Sequence, residues 1–439
     1  MASTYITKTP SSTTNQKTWT VSCWVKRSLL SSNQMVWGVN GDSSGNYFTE
    51  LLFTGSDRLE FRQGGTVGDP YQTQIETNAS YRDTNGWYHI VIAADTTQGT
   101  EANRLKMYVN GEQITSFATA NYPSLNENFR WHYTGYAHSI GRSGQDNARY
   151  FDGIISHFHN IDGTQYAASD FGSTDSTTGE WKINVSPNVT YGSFGTFLLK
   201  DGNSVTDQSG QGNNWTVGGG TLTKSEDCPS NVFATNNSLW KQESSRYLTH
   251  TKGNTMISGG GSSTWYQTPA TLAFNSGKFY WECKFNAGTN LDKNTAGVID
   301  YEKTQESGQF QDKTGSVFYK NEDGGETRID GSTSTADYGT LAQNDILGVA
   351  VDMDAATPTV KFYKNGSLLV TANASSLSGK FVTPAQSVYT SGEYQVNYGN
   401  GYFGDSAVSS AGTNASGIGI FEHDVPANYT ALSTKGLNE

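Results

Sequence analysis

The sequence predicts an all-β protein of two tandem antiparallel β-sandwiches, and three observations support this. Glycine (49 of 439 residues) and aromatic residues (12%) are abundant while charged residues reach only 16%, which suits short strands joined by tight turns. Residues 346–351 and 359–364 are β-rich, and Asn365-Gly366 follows them as a strong hairpin signal. The same arrangement precedes Asn110-Gly111, so the chain carries two copies of one β unit.

Charge and hydropathy exclude several classes of partner. The net charge of −12 argues against nucleic acid, whose phosphates require a basic face. No apolar run approaches the roughly 20 residues needed to cross a bilayer, so no membrane insertion is expected, and the N-terminus lacks the pattern of a secretory signal. The cysteines are far apart, which indicates neither a zinc site nor a disulfide framework. Cys23 and Cys283 alternate with apolar residues and are predicted to lie on buried strand faces.

The first domain is predicted to span residues 1–170. Its strands are read at 18–26, 35–39, 47–53, 58–62, 87–95 and 150–158. The segments TWTVSCWVK, GWYHIVIAAD, LKMYVNG, SIGR and YFDGIISHF occur in that order. This ordered set resembles the laminin-G and concanavalin A-like jelly-roll family, and the resemblance implies a β-sandwich.

Residues 171–243 are predicted to be a connector that donates a strand to the first sandwich. Residues 196–201 read as a strand, and the following DQSGQGNNW is similar to a turn found near the start of laminin-G-like domains. Sandwiches of that kind often hold Ca²⁺ with loop carboxylates and carbonyls, so Asp207 and Asn213 are candidate calcium ligands. The alternative is an Asx-type turn held by its own backbone hydrogen bonds. No other cofactor is expected.

The second domain is predicted to span residues 244–404, followed by a C-terminal tail segment at 405–439. The motifs SGKFYWEC, AGVI, NDILGVAVD, FYKNG and VNYG resemble those of SPRY domains. The chain departs from that pattern at Asn344, where glycine is usual, and at Tyr398, where phenylalanine is usual. Neither change threatens a β-sandwich.

The whole chain resembles predicted structural proteins of marine tailed bacteriophages, through the two domains, the CPSNVFATNN connector and the FEHDVPANYTALSTKGL terminus. The resemblance implies a non-enzymatic virion-surface protein of the tail-fibre or adhesin type, assembled in the host cytoplasm, that binds host-surface glycan or protein. Its expected partners are other virion proteins of capsid or tail, with a homo-oligomer or many copies on the particle. The alternative is a capsid decoration, head-fibre or tail-assembly protein, since no heptad repeat indicates a trimerisation shaft.

Catalytic patterns are weak. Glycoside hydrolases of similar fold carry a Glu-x-Asp-x-x-Glu strand that pairs two carboxylates, and no such spacing occurs. His157 and His159 could share a strand face as a metal pair, but no third ligand is evident. A glycan-degrading enzyme therefore remains the weaker alternative.

The predicted binding site is the long connection at residues 121–138, because long loops on a rigid sandwich are suited to binding. It is rich in aromatic residues and contains one arginine among them: Phe129, Arg130, Trp131, Tyr133 and Tyr136. Aromatic faces stack on sugar rings, and arginine with aromatics also marks protein interfaces. The alternative is that these residues pack against the second domain or a neighbouring subunit.

Overall fold

A computed structural model of the chain describes residues 3–39, 47–64, 71–144, 148–200, 204–240, 248–287, 293–322, 324–334 and 336–438. The chain divides into two compact units, Met1–Lys224 and Ser225–Glu439. The division lies before residue 244, which itself falls outside the described residues. Residues 171–224 pack with the first unit, and the segment after residue 404 packs with the second rather than forming a separate tail.

Unit 1 contains sixteen strands among its described residues: β1 Tyr5–Lys8, β2 Thr18–Arg27, β3 Gln34–Val39, β4 Thr49–Phe53, β5 Arg58–Gln63, β6 Thr73–Ser80, β7 Tyr88–Asp95, β8 Leu105–Val109, β9 Glu112–Gln113, β10 Phe117–Asn121, β11 His138–Ile140, β12 Gly153–Asp162, β13 Gly172–Thr174, β14 Trp181–Ile183, β15 Thr196–Leu198 and β16 Thr216–Gly219. An eight-stranded sheet has the order β10-β6-β5-β4-β3-β11-β1-β16, and a six-stranded sheet has the order β15-β12-β2-β7-β8-β9. The pair β13-β14 is separate. The all-β prediction is confirmed.

The core of unit 1 lies between these two sheets. Every second residue of the strands points into it, as the two-residue period of a strand requires. Trp19 of the six-stranded sheet meets Trp37 of the eight-stranded sheet edge to face, with ring centroids 6.1 Å apart. Cys23 is buried in this core, which confirms its predicted placement.

The region predicted as a connector supplies strands to both sheets. β15 pairs with β12, and β16 pairs with β1 through Ile6 and Val217. Residues 166–191 lie over the outer face of the six-stranded sheet, where Phe171 and Trp181 join an apolar cluster, whereas Trp215, just before β16, is buried in the core between the sheets. The first sandwich is therefore closed by strands from beyond residue 170.

Unit 2 also has sixteen strands in its described part: β17 Thr249–Thr251, β18 Met256–Ser258, β19 Trp265–Pro269, β20 Lys278–Ala287, β21 Thr295–Asp300, β22 Ser316–Lys320, β23 Glu326–Ile329, β24 Ser332–Thr333, β25 Ile346–Asp352, β26 Thr359–Lys364, β27 Ser367–Asn373, β28 Val382–Tyr389, β29 Glu393–Asn397, β30 Tyr402–Phe403, β31 Ser406–Ala407 and β32 Thr430–Ala431. One sheet has the order β17-β18-β29-β20-β25-β26-β27 with β32 beside β20, and the other has the order β19-β28-β21-β22-β23-β24. Their facing sides form the core, which contains Cys283 as predicted.

The C-terminal segment of unit 2 covers the outer face of the sheet that contains β20. Phe421 and Tyr429 pack there against Tyr280 in an apolar cluster. Glu282 anchors the segment, because its carboxylate accepts hydrogen bonds from the backbone N–H groups of residues 422 and 423, each at 2.9 Å. Burial raises the pKa of the Glu282 carboxyl to about 7.

Both Asn-Gly turns have the predicted type I′ conformation. Asn110 and Gly111 have φ of 49° and 86°, and Asn365 and Gly366 have φ of 47° and 81°, so both central residues of each turn are left-handed. These hairpins join β8 to β9 and β26 to β27. The prediction is confirmed in both units.

Helical structure in the described residues is limited to short 3₁₀ turns, at Glu101–Asn103, Ala168–Asp170, Tyr301–Gln305, Phe310–Asp312, Ser375–Leu377 and Gly436–Asn438. None of the helices in the described ranges has the length and apolar character that crossing a membrane requires.

Candidate functional site

A line of polar residues crosses the eight-stranded sheet of unit 1 and is called here the polar row. Strand register places its members directly opposite one another on six successive strands: Thr7, Ser139, Gly38, Glu50, Arg62 and Gln74. Their immediate chain neighbours, such as Leu51, Phe61 and Ile75, point into the core. The polar row therefore faces away from the core, because successive side chains of a strand alternate between faces.

Glu50 and Arg62 form the centre of the polar row. The Arg62 guanidinium donates from Nε and one Nη to Glu50 Oε2 at 3.2 and 3.1 Å. The other carboxylate oxygen accepts from Ser143 Oγ at 2.9 Å and lies 3.9 Å from the Arg149 guanidinium. Glu50 is fully buried and Arg62 nearly so. The pair is consequently held in one geometry by several charge-assisted hydrogen bonds.

Arg62 also organises the side chains beside it. Its second Nη donates to the Tyr71 hydroxyl at 3.3 Å and lies 3.8 Å from Glu60 Oε2. The guanidinium carbon lies 5.4 Å from the Tyr71 ring centroid and 5.6 Å from that of Phe48, which is within cation–π range. Glu60 accepts from Gln74 Nε2 at 2.6 Å. Tyr71 is 38% exposed and so brings this network to the surface.

This arrangement is suited to binding a polar ligand. Carboxylates, a guanidinium and an amide held at fixed positions offer donors and acceptors, and an adjacent aromatic ring offers a stacking face. Glu50 and Glu60 are the two carboxylates that could resemble a glycosidase pair. Both, however, are engaged by protein donors, Glu50 by Arg62 and Ser143 and Glu60 by Gln74.

Two residues of the predicted binding loop lie in the core. Phe129 and Trp131 are fully buried, Phe129 against Trp19 with ring centroids 5.2 Å apart. The Trp131 indole N–H donates to Asn160 Oδ1 at 2.8 Å. The expectation that Trp131 lies at the centre of a contact surface is therefore wrong, because the loop runs back into its own sandwich. The expected alternative, packing against another domain or subunit, is wrong for these two residues as well.

The other predicted loop residues remain partly exposed. Arg130 lies over the Tyr47 ring, with its guanidinium carbon 4.8 Å from the ring centroid. Tyr47 precedes Phe48, so Arg130 is brought close to the aromatic end of the polar row. Tyr133 and Tyr136 pair with each other, with centroids 5.3 Å apart. Their role in binding stays a prediction.

Asp207 and Asn213 form a closed turn. The two Asp207 carboxylate oxygens accept hydrogen bonds from the backbone N–H groups of Phe197, Ser209 and Asn213, each at 2.9 Å, and from the Ser209 hydroxyl at 2.8 Å. The Asn213 amide donates to two carbonyls. This is the arrangement of the Asx-type alternative. Within the described ranges no three His, Cys, Asp or Glu side chains cluster as metal ligands do, and calcium binding stays a prediction.

A buried serine–histidine contact in unit 1 has the wrong polarity for nucleophilic catalysis. Ser22 Oγ lies 2.9 Å from His89 Nε2, and the Trp181 indole N–H donates to His89 Nδ1 at 3.0 Å. Indole nitrogen only donates, so Nδ1 is the acceptor and Nε2 of the neutral ring carries the proton toward Ser22. Burial lowers the pKa of His89 to about 3. A catalytic base must instead accept the serine proton.

The rings of His157 and His159 both lie against Phe197, with ring centroids 5.8 and 4.0 Å from it. A β-bulge separates them from regular pairing with β2, and His157 has a φ of 46°. His159 Nδ1 lies 2.9 Å from the Tyr191 hydroxyl, and its ring stacks on Phe197 at 4.0 Å. Both histidines are buried, and among the described residues they belong to no group of three side chains that could hold a metal ion.

The sequence predicted three of the six strands of the polar row, β3, β4 and β5, but not the other three or the row itself. The segments TELLF, RLEFRQ and TQIET alternate apolar and polar residues. This alternation indicates that Glu50, Arg62 and Gln74 each lie on the polar face of their strand. Their alignment depends on strand order and register, which pairs β3 with both β4 and β11. The alternation can be found in the sequence, whereas the pairing of strands that are distant in the chain cannot.

The first unit matches a known family by sequence. Residues 1–168 match the family described as the concanavalin A-like lectin/glucanases superfamily. The matched residues include every strand of the polar row. No curated protein sequence gave a match.

Similar solved structures are SPRY domains, each of which aligns with about a third of this chain. The SPRY domain of human HERC1 shares 18% identity over 32% of this chain and 87% of that one, with a TM-score of 0.28. The PSpry domain of TRIM65 shares 16% identity over 37% and 88%, with a TM-score of 0.30. A human SPRY domain shares 15% identity over 34% and 93%, with a TM-score of 0.28. The two-sandwich architecture rests on the strand order and register above, and the chain contains a concanavalin A-like sandwich followed by a second β-sandwich.

Proposed function

We propose that this protein is a non-enzymatic binding protein on the surface of a bacteriophage particle, of the tail-fibre or adhesin type. Its first sandwich binds host-surface glycan at the polar row. β-Sandwiches of this class commonly serve as binding modules, and the phage assignment follows the whole-chain resemblance described above. Partners in the particle are other capsid or tail proteins, with several copies present.

The observation that supports binding is the Glu50–Arg62 pair on a sheet face that points away from the core. Both side chains are buried or nearly so, and burying charges has a desolvation penalty that an apolar pair would avoid. Such a pair adds little to stability, so its presence beside exposed Tyr71 favours a role in recognition. The network fixes Glu60 and Gln74 as well.

Glycan is the ligand class that this chemistry favours. Sugars present hydroxyl groups to carboxylate, amide and guanidinium partners, and apolar C–H faces to aromatic rings. The polar row and Tyr71 offer both kinds of contact. A nucleic-acid ligand is disfavoured by the net charge of −12.

The test is adsorption of fluorescently labelled full-length protein to host cells, with and without soluble host polysaccharide as competitor. Tyr71→Ala and Gln74→Ala should each weaken adsorption about tenfold without changing the melting temperature, since both residues lie at the surface end of the network. The matched control is Tyr301→Ala in unit 2, which removes a tyrosine of similar exposure. Equal adsorption by all four proteins would contradict the proposal.

The capsid-decoration alternative makes a different prediction for the same variants. Particles assembled with Tyr71→Ala protein should contain a normal amount of it if the row binds host glycan. Loss of the variant from otherwise complete particles would instead support a role in assembly. A release of sugar fragments during incubation with polysaccharide would support the hydrolase alternative.

A further inference from the structure

Unit 2 has an aromatic corner at one rim of its six-stranded sheet. Trp265 of β19 and Tyr389 of β28 are direct cross-strand partners, with ring centroids 5.5 Å apart and planes at 64°. Their chain neighbours Tyr266 and Val388 lie in the core. The two rings therefore project from the opposite face, where both are half-buried.

Lys293 completes this corner. Its ammonium lies 4.6 Å from the Tyr389 ring centroid. Strand register explains the contact: Thr295 pairs with Ser387, so Lys293, two residues before Thr295, stands level with Tyr389 on the same face. No described carboxylate lies within ion-pair distance of Lys293, whereas Lys278, Lys303, Lys320, Lys364 and Lys380 all have one.

A buried amide without a hydrogen-bond partner packs against the turn after Tyr389. Asn294 is fully buried, and neither its Nδ2 nor its Oδ1 has a hydrogen bond. The amide packs against Gly392, where an added Cβ would lie 2.5 Å from Oδ1. Buried polar groups are normally paired, so the unpaired Asn294 amide is an unusual feature of the packing beneath this turn. Only glycine at 392 leaves this space.

The same turn holds an unfavourable backbone conformation. Thr390 has a φ of 59°, which is strongly disfavoured for a β-branched residue. Such conformations persist where the surrounding structure enforces them and are concentrated at ligand sites. The turn is fixed by a hydrogen bond from the Gly392 N–H to the Tyr389 carbonyl at 3.0 Å.

We propose that Trp265, Tyr389 and Lys293, called here the aromatic corner, form a second glycan site that takes an acidic sugar residue. The apolar face of the sugar ring stacks on Trp265. Its carboxylate pairs with the Lys293 ammonium. This site is separate from the polar row and does not depend on the function proposed for it.

The acidic character of the ligand follows from Lys293. Lys293 has no described carboxylate within ion-pair distance, so its positive charge is available to attract an anion in a chain whose net charge is −12. A neutral sugar would leave this cation unused. A comparable contact elsewhere in unit 2 lacks an exposed corner: Lys361 lies 5.5 Å from the Tyr429 ring, but Tyr429 is buried.

The test uses the full-length protein titrated with trigalacturonate, and in parallel with neutral galactotriose, by calorimetry and tryptophan fluorescence. We expect binding of the acidic trisaccharide only, weakening as ionic strength rises because the contact is a partly exposed ion pair. Lys293→Gln should weaken binding about tenfold, the effect expected for a hydrogen bond to a charged group. Trp265→Ala should weaken it about thirtyfold, as for a stacking residue at the centre of a site.

The matched controls are Lys361→Gln, which removes the other lysine–tyrosine contact, and Tyr71→Ala, which disables the polar row of unit 1. Both should bind trigalacturonate as the unmodified protein does, so failure of one site is distinguishable from failure of the other. Equal binding of the two trisaccharides, or unchanged affinity in Lys293→Gln, would overturn the proposal. So would the absence of any binding by the unmodified protein, or an equal loss in Lys361→Gln. Lys293→Gln changes only a surface side chain, so the test does not depend on the stability of Trp265→Ala.

Discussion

The two Asn-Gly hairpins have the same local structure and different surroundings. In each, the asparagine N–H donates to the carbonyl of the strand beside it at 2.9 Å, and its side-chain Oδ1 accepts from that same residue at 2.8 Å. The partner residue is His89 in unit 1 and Ile346 in unit 2. The glycine that follows Asn110 is covered by the Trp181 ring, whereas the glycine that follows Asn365 is covered by His423.

This difference separates what a turn requires from what lies over it. The φ values of both glycines are set by the type I′ geometry alone. The space above each glycine is set by a segment distant in sequence: a Cβ at Gly111 would overlap the Trp181 ring, while one at Gly366 would lie 3.3 Å from the nearest His423 ring atom. The identical Asn-Gly signals therefore predict equal backbone strain for a substitution at either glycine. The steric cost of the new side chain differs between the two sites because the covering residues differ.

The largest expected effect is Gly111→Val compared with Gly366→Val. Both introduce a β-branched residue at positive φ, which costs about 1–3 kcal/mol. Gly111→Val also forces Trp181 out of place, adding about 1–3 kcal/mol of overpacking. Equilibrium denaturation should therefore show a loss of about 2–6 kcal/mol at Gly111, larger than at Gly366. Equal losses at the two sites would show that the covering ring moves freely.

Removal of the side chains that cover the two glycines, Trp181 and His423, should give the next largest effect on stability. Trp181→Ala removes a half-buried ring and its hydrogen bond to His89, and we expect a loss of about 2–3 kcal/mol, below the range for a fully buried tryptophan. His423→Ala should cost less than 1 kcal/mol because the ring is smaller and partly exposed. Thermal denaturation of the two variants measures the contrast, with Trp181→Phe as the control that keeps an aromatic cover. A greater loss for His423→Ala would reverse the comparison.

His89, which contacts Trp181, and Glu282, which anchors the segment containing His423, should make the stability of the fold depend on pH in opposite directions. His89, behind Trp181, has a pKa lowered to about 3 by burial, so the unfolded chain binds a proton below its ordinary value of 6.5 and this contribution to stability is lost as pH falls. Glu282, which anchors the segment containing His423, has a pKa raised to about 7 by burial. The folded chain then binds the extra proton between pH 4.5 and 7, and this contribution declines as pH rises.

The test compares Glu282→Gln with the unmodified chain by denaturation across pH 4.5–7. The difference in unfolding free energy between them should change by up to about 1.4 kcal/mol per pH unit. The unmodified chain should become less stable relative to Glu282→Gln as pH rises. Glu302→Gln, an exposed position, serves as the control and should show no such slope. A flat difference for Glu282→Gln would mean that its carboxyl titrates normally.

The smallest effect should come from the asparagines. Asn110→Ala and Asn365→Ala each remove one side-chain hydrogen bond to a strand N–H and place alanine at positive φ, where asparagine is better tolerated. We expect a loss of about 1 kcal/mol of unfolding free energy at each site, equal within error, because the hydrogen bond and the turn are local. Hydrogen exchange at the amides of His89 and Ile346 reports the same loss. Clearly unequal values would show that Trp181 or His423 also affects the contribution of the asparagine to stability.

Local signals predicted much of the fold, and long-range contacts account for what they missed. The strands around Asn110 and Asn365, and the burial of Cys23 and Cys283, follow from alternation and turn chemistry within a few residues. Trp131 shows no alternation with its neighbours, because its burial is decided by Asn160 and the sandwich interior. The polar row and the aromatic corner likewise require knowledge of which strands are neighbours.

Each unit is closed by its own two ends, and this has a consequence for synthesis on the ribosome. In unit 1, Ile6 pairs with Val217, and in unit 2 the N–H of Ala234 donates to the carbonyl of Leu432 at 3.0 Å. Neither contact can form until some 200 residues after its first member have been translated. With translation at roughly 5–20 residues per second, each early strand waits on the order of ten seconds or more for its partner. Nascent unit 1 can close while unit 2 is still being made, whereas unit 2 can close only after Leu432 has been translated.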